Sequence, residues 1–203
     1  MQQALQLIEQ RVSVNRFDPD HTLSQQEIEQ LVRLATRAPT AFNLQNWRFI
    51  AVQSTTLKQQ LFTLSYEQRK VMDAAVTFII CGQLPNAEHL SQRLEPFLET
   101  GLMPKTMAND WQENAQALYS HPETARDEAI RSATLGTATL MYAAEAMGWN
   151  SGPMIGFDHQ AVSNLFSLGA DEIPVLMLPV GHSVDGNWPQ KPRRPLSEVL
   201  DIL

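Results

Sequence analysis

The chain has 203 residues, 43% hydrophobic and 18% charged, which is enough to bury one sizeable core and too apolar for a disordered protein. Its formal net charge of −7 argues against a general nucleic-acid binder, which would gather positive charge on one face. No apolar run reaches the ~18 residues of a membrane helix, and the N-terminus MQQALQLIEQ has neither the basic start nor the cleavage site of a signal peptide.

In chain order, residues 3–10 read as a short helix with Ala4, Leu5 and Ile8 on one side. Ser24 and Glu27 form a capping box in which each satisfies the other's backbone donor. It opens a helix whose Ile28, Leu31, Val32, Ala35 and Ala38 share a stripe, and Pro39 closes it. A strand is predicted over 48–53, then a helix capped by Thr55 or Thr56 and running to about Lys70. The run AVTFIIC over 75–81 is apolar without alternation, as in a strand buried on both faces. Residues 86–120 read as irregularly helical. A long helix rich in small residues is predicted over 127–149, followed by a tight loop over 150–157. Asp158 caps a further helix, and 173–180 is a second buried strand. The tail from Trp188 to Leu203 carries prolines, basic residues and a short apolar end. With no repeat or linker, the whole of 1–203 reads as one domain. The class is α+β, a small central mixed sheet flanked by helices.

Common catalytic sets are missing from the sequence. His21, His89, His121, His159 and His182 have no metal-ligand spacing, so no metal site is expected. No phosphate-binding glycine loop and no nucleophile elbow occur. Cys81, the single cysteine, lies in a predicted core strand and excludes an intrachain disulfide; a reducing, cytoplasmic setting fits. What remains is a series of polar and basic residues at element ends: RVSVNRF from Arg11, APTAFNLQNWRF from Ala38, EQRK from Glu67, GPMIGF from Gly152 and KPRR from Lys191. A basic cluster taken singly is most often solvated surface.

In this order and spacing the stretches resemble the FMN-dependent nitroreductase family over almost the full length. RVSVNRF is similar to the family's arginine- and serine-containing opening. APTAFNLQNWRF is similar to its loop with proline, asparagine, glutamine and tryptophan. EQRKVMDAAVTFIIC matches its lysine and Asp-Ala pair before a buried strand, SGPMIGFD its small-residue turn, and VGH with KPRRPLSEVL its closing strand and basic tail.

The resemblance implies a nitroreductase-like fold and an intertwined homodimer with one FMN per subunit at the interface. It implies a ping-pong exchange in which NAD(P)H passes hydride to flavin N5 and a nitroaromatic, quinone or related small acceptor then takes it. No catalytic side chain is implied. The phosphate would be held by Arg11, Ser13, Lys191 and Arg193, groups suited to about two negative charges. Pro39, Thr40, Ala41 and Asn43 would hold flavin, in the site of the partner. Lys70 would stabilise negative charge on reduced flavin. Pro153, Met154, Ile155 and Gly156 form the turn whose amides would face N5. Four positions depart from the family pattern, Ile155 among them: Val12 replaces a second arginine, Asn15 stands where a basic residue is common, and Glu67 stands for asparagine. Asn15 and Glu67, near Lys70, imply a lower flavin potential than in members with two cations there. Ile155 replaces a residue often acidic in relatives. Phe97, Met103, Met107, Trp111 and Tyr119 are candidates for a pocket wall or for plain core packing, whereas Trp47 and Phe49 read as strand packing. The alternative to an enzyme is a flavin-binding store or regulator without NAD(P)H turnover.

Overall fold

The three apolar runs line up in one sheet, seen in a computed structural model that describes residues 2–203. Its strands are β1 (Trp47–Val52), β2 (Val76–Gln83), β3 (Asn150–Ser151) and β4 (Glu172–Gly181), ordered β1-β2-β4-β3. Every ladder between them is antiparallel. The expected mixed sheet is corrected accordingly: among the described residues, parallel pairing occurs at the isolated bridge between Ser13 and Ser151. Strand β3 was not foreseen, because two residues are too few to show a period.

β2 explains its own lack of alternation. Phe78 and Ile80 enter one core with Leu31, Ala35, Leu140, Ala144 and Leu178, while Ile79 and Cys81 enter another with Leu61, Val71, Val162 and Met177. The first core lies under α2 (Gln25–Ala35) and α7 (Pro122–Ala146); the second lies under α3 (Thr55–Leu64), α4 (Lys70–Asp73) and α8 (His159–Leu165). With both faces covered, each strand residue loses water whichever way it points. The small residues of α7 bring it close: a Cβ on Gly136 would sit 3.2 Å from the rings of both Trp47 and Phe49. Those two aromatics pack the core, as expected. Cys81 is fully buried, and burial pushes its thiol up to about 12.

A third core joins α5 (Ala87–Glu99), α6 (Lys105–Leu118) and the segment around Leu44. Residues 86–120 thus contain two regular helices, broken near Gly101, whose φ is +70°. Helix α1 (Gln2–Gln10) packs on α7. The capping box of α2 forms as predicted, and Asp158 caps α8 by accepting from Ala161 N–H at 2.9 Å. Two expectations for α3 fail. Ser54 is the N-cap, with no side-chain bond. The helix stops at Leu64, six residues before Lys70, because Tyr66 and Glu67 take φ of 54° and 58° and turn the chain. Helix α7 begins at Pro122, earlier than predicted, with proline at its first position where no N–H is needed.

Candidate functional site

The site starts from the arm after α1. Val14 N–H donates to Ser151 O at 3.0 Å, docking the arm beside β3. The approach is tight enough to demand glycine next door: a Cβ on Gly152 would lie 1.9 Å from Val14 O. Val12 packs against the small cluster of Val14, Phe17 and Ala74. The position where the resemblance leads one to expect an arginine is therefore used to anchor the arm.

The tail folds back onto this arm. Asn187 Oδ1 accepts from the N–H groups of Asn15 at 2.8 Å and Arg16 at 3.0 Å. Gln190 Nε2 donates to Arg11 O at 3.1 Å, and Gln190 Oε1 accepts from Arg193 Nη2 at 2.7 Å. The chain segments that carry Arg11, Lys191 and Arg193 are thereby drawn to one region. Arg194 leaves the set: it pairs with Glu198 at 2.9 Å.

Lys70 opens α4 and is buried beside the arm, donating to Asn15 Oδ1 at 3.2 Å. Burial lowers its pKa, and the charge of Lys191 lowers it further. Two ammonium groups that repel one another are thus held close. Among the described residues, neither they nor Arg11 and Arg193 form an ion pair with a carboxylate. Arg11 Nη1 is buried with no hydrogen-bond partner, and the guanidinium carbon lies 6.0 Å from the centre of the Tyr142 ring on α7. A cluster of this kind is costly alone and suited to an added dianion. Asn15, Gln68, Arg69 and Lys70 line a cavity of about 160 Å³ here.

The turn Pro153–Gly156 adjoins the same region. Met154 is buried and pairs with Met177, while Ile155 is 74% exposed. Gln68 Nε2 donates to Gly156 O at 2.8 Å and Ser65 O at 3.1 Å, tying this turn to the segment that carries Lys70. Among the described residues, the N–H groups of Ile155 and Gly156 find no acceptor in the chain, which leaves them free for a ligand. Glu67 is exposed, in the left-handed region that asparagine tolerates better than glutamate.

Pro39, Thr40, Ala41 and Asn43 lie elsewhere. Their loop leads into β1 and is tied to the far end of β2, where Gln83 N–H donates to Asn46 O at 2.9 Å and Asn46 Nδ2 returns a bond to Gln83 O at 2.8 Å. Lys70 and the arm belong to the opposite end, near Val76 and Val180. Residues 76 and 83 are separated along the strand by roughly 23 Å at ~3.3 Å per residue. One chain therefore does not bring the two groups of predicted residues together. Of the wall candidates, Met103, Trp111 and Tyr119 pack into the third core, while Phe97 and Met107 stay exposed.

Sequence reasoning missed Gln68, Asn187, Gln190 and Lys58. The first three act through amide side chains, which carry no charge or periodicity to mark them. Lys58 is buried on α3 and donates to the carbonyls of Met72, Ala74 and Ala75, holding the exit of α4; burial lowers its pKa, and Asp73 opposes that shift. Its only sequence signal is a lysine on the apolar side of α3.

Residues 8–182 match the sequence profile described as the Nitroreductase family. YodC of Bacillus subtilis, whose name carries the term NAD(P)H nitroreductase, is 28% identical over 199 residues, covering 98% of both chains. The crystal structure of ydfN from Bacillus subtilis superposes with a TM-score of 0.94 at 26% identity, over 100% of each chain. A structure from Exiguobacterium sibiricum, solved in complex with FMN, matches with a TM-score of 0.89 at 25% identity over 98% of this chain and 96% of that one.

Proposed function

Since the chain belongs to the nitroreductase family, we propose that it is an FMN-dependent NAD(P)H oxidoreductase acting on nitroaromatics, quinones or related small acceptors. The observation that carries this reading is a pair of mutually repelling ammonium groups, Lys70 and Lys191, neither paired with a carboxylate among the described residues, at the place where the tail of Arg193 meets the arm of Arg11. A flavin phosphate supplies the charge that the cluster lacks. The relative solved with FMN supports the choice of cofactor, and NAD(P)H as donor is supported by the names of relatives.

Each residue set has a task in this reading. Arg11, Ser13, Lys191 and Arg193 hold the phosphate. Lys70, oriented by Asn15, stands by for negative charge on the ring. The free amides of Ile155 and Gly156, fixed by Gln68, orient the reactive edge. Bound FMN supplies hydride exchange between a nicotinamide donor and the acceptor. No side chain of the chain is needed as nucleophile or acid. The exposed Ile155 leaves that edge open to a second molecule, which favours turnover over a flavin store.

The unit of function is a homodimer of one FMN-binding domain spanning 1–203. A site with both the cationic end and the loop of Thr40 and Asn43 needs a second copy, because a single chain keeps them at opposite ends of β2. The exposed apolar tail residues Leu196, Val199, Leu200 and Ile202 give such a dimer surface to bury. The test is a visible spectrum of the purified protein with FMN, before and after anaerobic NADH or NADPH. Flavin bands that bleach support the reading. Bands that persist with both nucleotides overturn the turnover reading, and a protein that takes up no FMN overturns the cofactor reading.

A further inference from the structure

We propose that Asn187 is a positioning residue, a clamp that fastens the C-terminal tail to the N-terminal arm and so fixes where Lys191 and Arg193 stand relative to Arg11 and Lys70. All the hydrogen-bonding groups of its side chain are used. Oδ1 accepts from Asn15 N–H at 2.8 Å and Arg16 N–H at 3.0 Å; Nδ2 donates to Arg16 O at 2.9 Å and Val184 O at 2.8 Å. The bond to Val184 closes the turn that precedes the tail, and the three bonds to residues 15 and 16 join segments more than 170 positions apart.

Only a side chain with both an acceptor and two donors at this reach satisfies the set. Aspartate would keep the acceptor and turn a second oxygen toward two carbonyls; alanine would abandon all four bonds. The turn is built around Gly186, at φ +89°, where a Cβ would meet Arg16 Nη1 at 2.8 Å. Beyond Asn187 the tail makes one other hydrogen bond to the arm among the described residues, from Gln190 to Arg11 O. Lys191 lies four residues past the clamp, a span of at most ~14 Å. Together with the bond from Gln190 to Arg11 O, the clamp keeps Lys191 on the arm side of the molecule, where its charge is felt at Lys70. Preorganising the cations in this way raises their effective concentration at the anion site.

The consequence for FMN rests on the cofactor reading above; the clamp itself does not, so the experiment has two arms. In the first, the cofactor-free protein is digested with trypsin and cleavage after Arg193 is timed. Lys191 and Arg194 precede prolines and are poor trypsin sites. Asn187→Ala is expected to be cut there at least about tenfold faster than wild type, and Asn187→Asp at an intermediate rate, in proportion to the population of the opened tail. Equal rates overturn the clamp whether or not the protein takes FMN. In the second arm, FMN affinity is measured for wild type, Asn187→Ala, Lys191→Ala/Arg193→Ala and the triple variant. Asn187→Ala is expected to weaken FMN roughly tenfold and flatten the salt dependence of binding, with no further loss once both cations are gone. A full additional loss in the triple variant would mean Asn187 acts independently of the cations and overturns the positioning role. Wild type that binds no FMN, with fast tail cleavage in Asn187→Ala, refutes the cofactor reading and leaves the clamp standing.

Discussion

The cationic end of the molecule departs from the family pattern at Val12, Asn15 and Glu67, whereas the loop end keeps it, and the two ends are held in different ways. The cationic end is assembled from long-range contacts: Val14 to Ser151, Asn187 to Asn15 and Arg16, Lys70 to Asn15, Gln68 to Gly156. The loop end adds bonds among its own neighbours to apolar packing on the third core. Asn43 N–H donates to Thr40 O at 3.1 Å, Gln45 N–H donates to Thr40 Oγ1 at 3.0 Å, and Phe42, Asn43 and Gln45 take φ near +50°. Positive φ at three non-glycine residues costs energy, and the ring of Phe42 offsets it by edge-to-face contacts with Trp111 and Tyr119. One end is joined by polar bonds between distant segments; the other is a local turn seated by Phe42 and Leu44 on the third core.

The comparison breaks most severely at Gly152. Its Cβ would lie 1.9 Å from a backbone oxygen that cannot swing aside, so Gly152→Ala must unhook the arm. About 3 kcal/mol or more of stability is expected to go, together with FMN binding, while the loop end stays folded; chemical denaturation and hydrogen exchange at residues 40–46 would show this. Next in size is subunit complementation. A variant lacking the cationic end (Arg11→Ala/Lys70→Ala) and one lacking the loop end (Thr40→Ala/Asn43→Ala) should each lose FMN. Refolded together, mixed dimers carry one whole site and one doubly broken site, so roughly a quarter of the sites should return. No recovery in a mixture proven to contain heterodimers would place both ends in one subunit's site and refute the composite arrangement.

The difference also explains what the sequence made legible. Both faces of β2, the Ser24 capping box and the Asp158 cap follow local rules, and all were readable. Arg11, Lys70 and Lys191 stood out as charges, and the family order placed them at one site. The amides that set their geometry, Gln68, Asn187 and Gln190, did not stand out, because their roles exist only once residues far apart in sequence have met. The break after Leu64 was hidden for a related reason. Tyr66 and Glu67 are poor left-handed residues, and nothing local announces that Ser65 and Gln68 will hold them there.

A milder break is available at the loop end. Phe42→Ala removes two ring contacts and part of the cover over the third core, and about 2 kcal/mol should be lost. The tail clamp should be untouched, so tryptic cleavage after Arg193 should keep its wild-type rate. A loop-end substitution that loosened the tail would show that the two ends communicate within one chain.

The smallest effect, and the sharpest, lies at Asn15. Its side-chain oxygen accepts from Lys70 Nζ at 3.2 Å, so Asn15→Lys replaces a partner with a like charge. Lys70 already has its pKa lowered, first by burial and then by Lys191; a third ammonium lowers it more. A lysine whose folded value is depressed costs stability where both states are charged, and the cost vanishes as pH rises past its ordinary 10.5. The cofactor-free variant should therefore be less stable than wild type at neutral pH, with the deficit shrinking as pH rises toward that value. With FMN bound the sign reverses at the ring: an added cation stabilises reduced flavin, and about 1 kcal/mol of it raises a two-electron potential by roughly 20 mV. One substitution should thus weaken the empty protein and make the bound flavin easier to reduce. Equal potentials in the two proteins would show that position 15 does not reach the ring, and that the departure from the family at Asn15 leaves the chemistry unchanged.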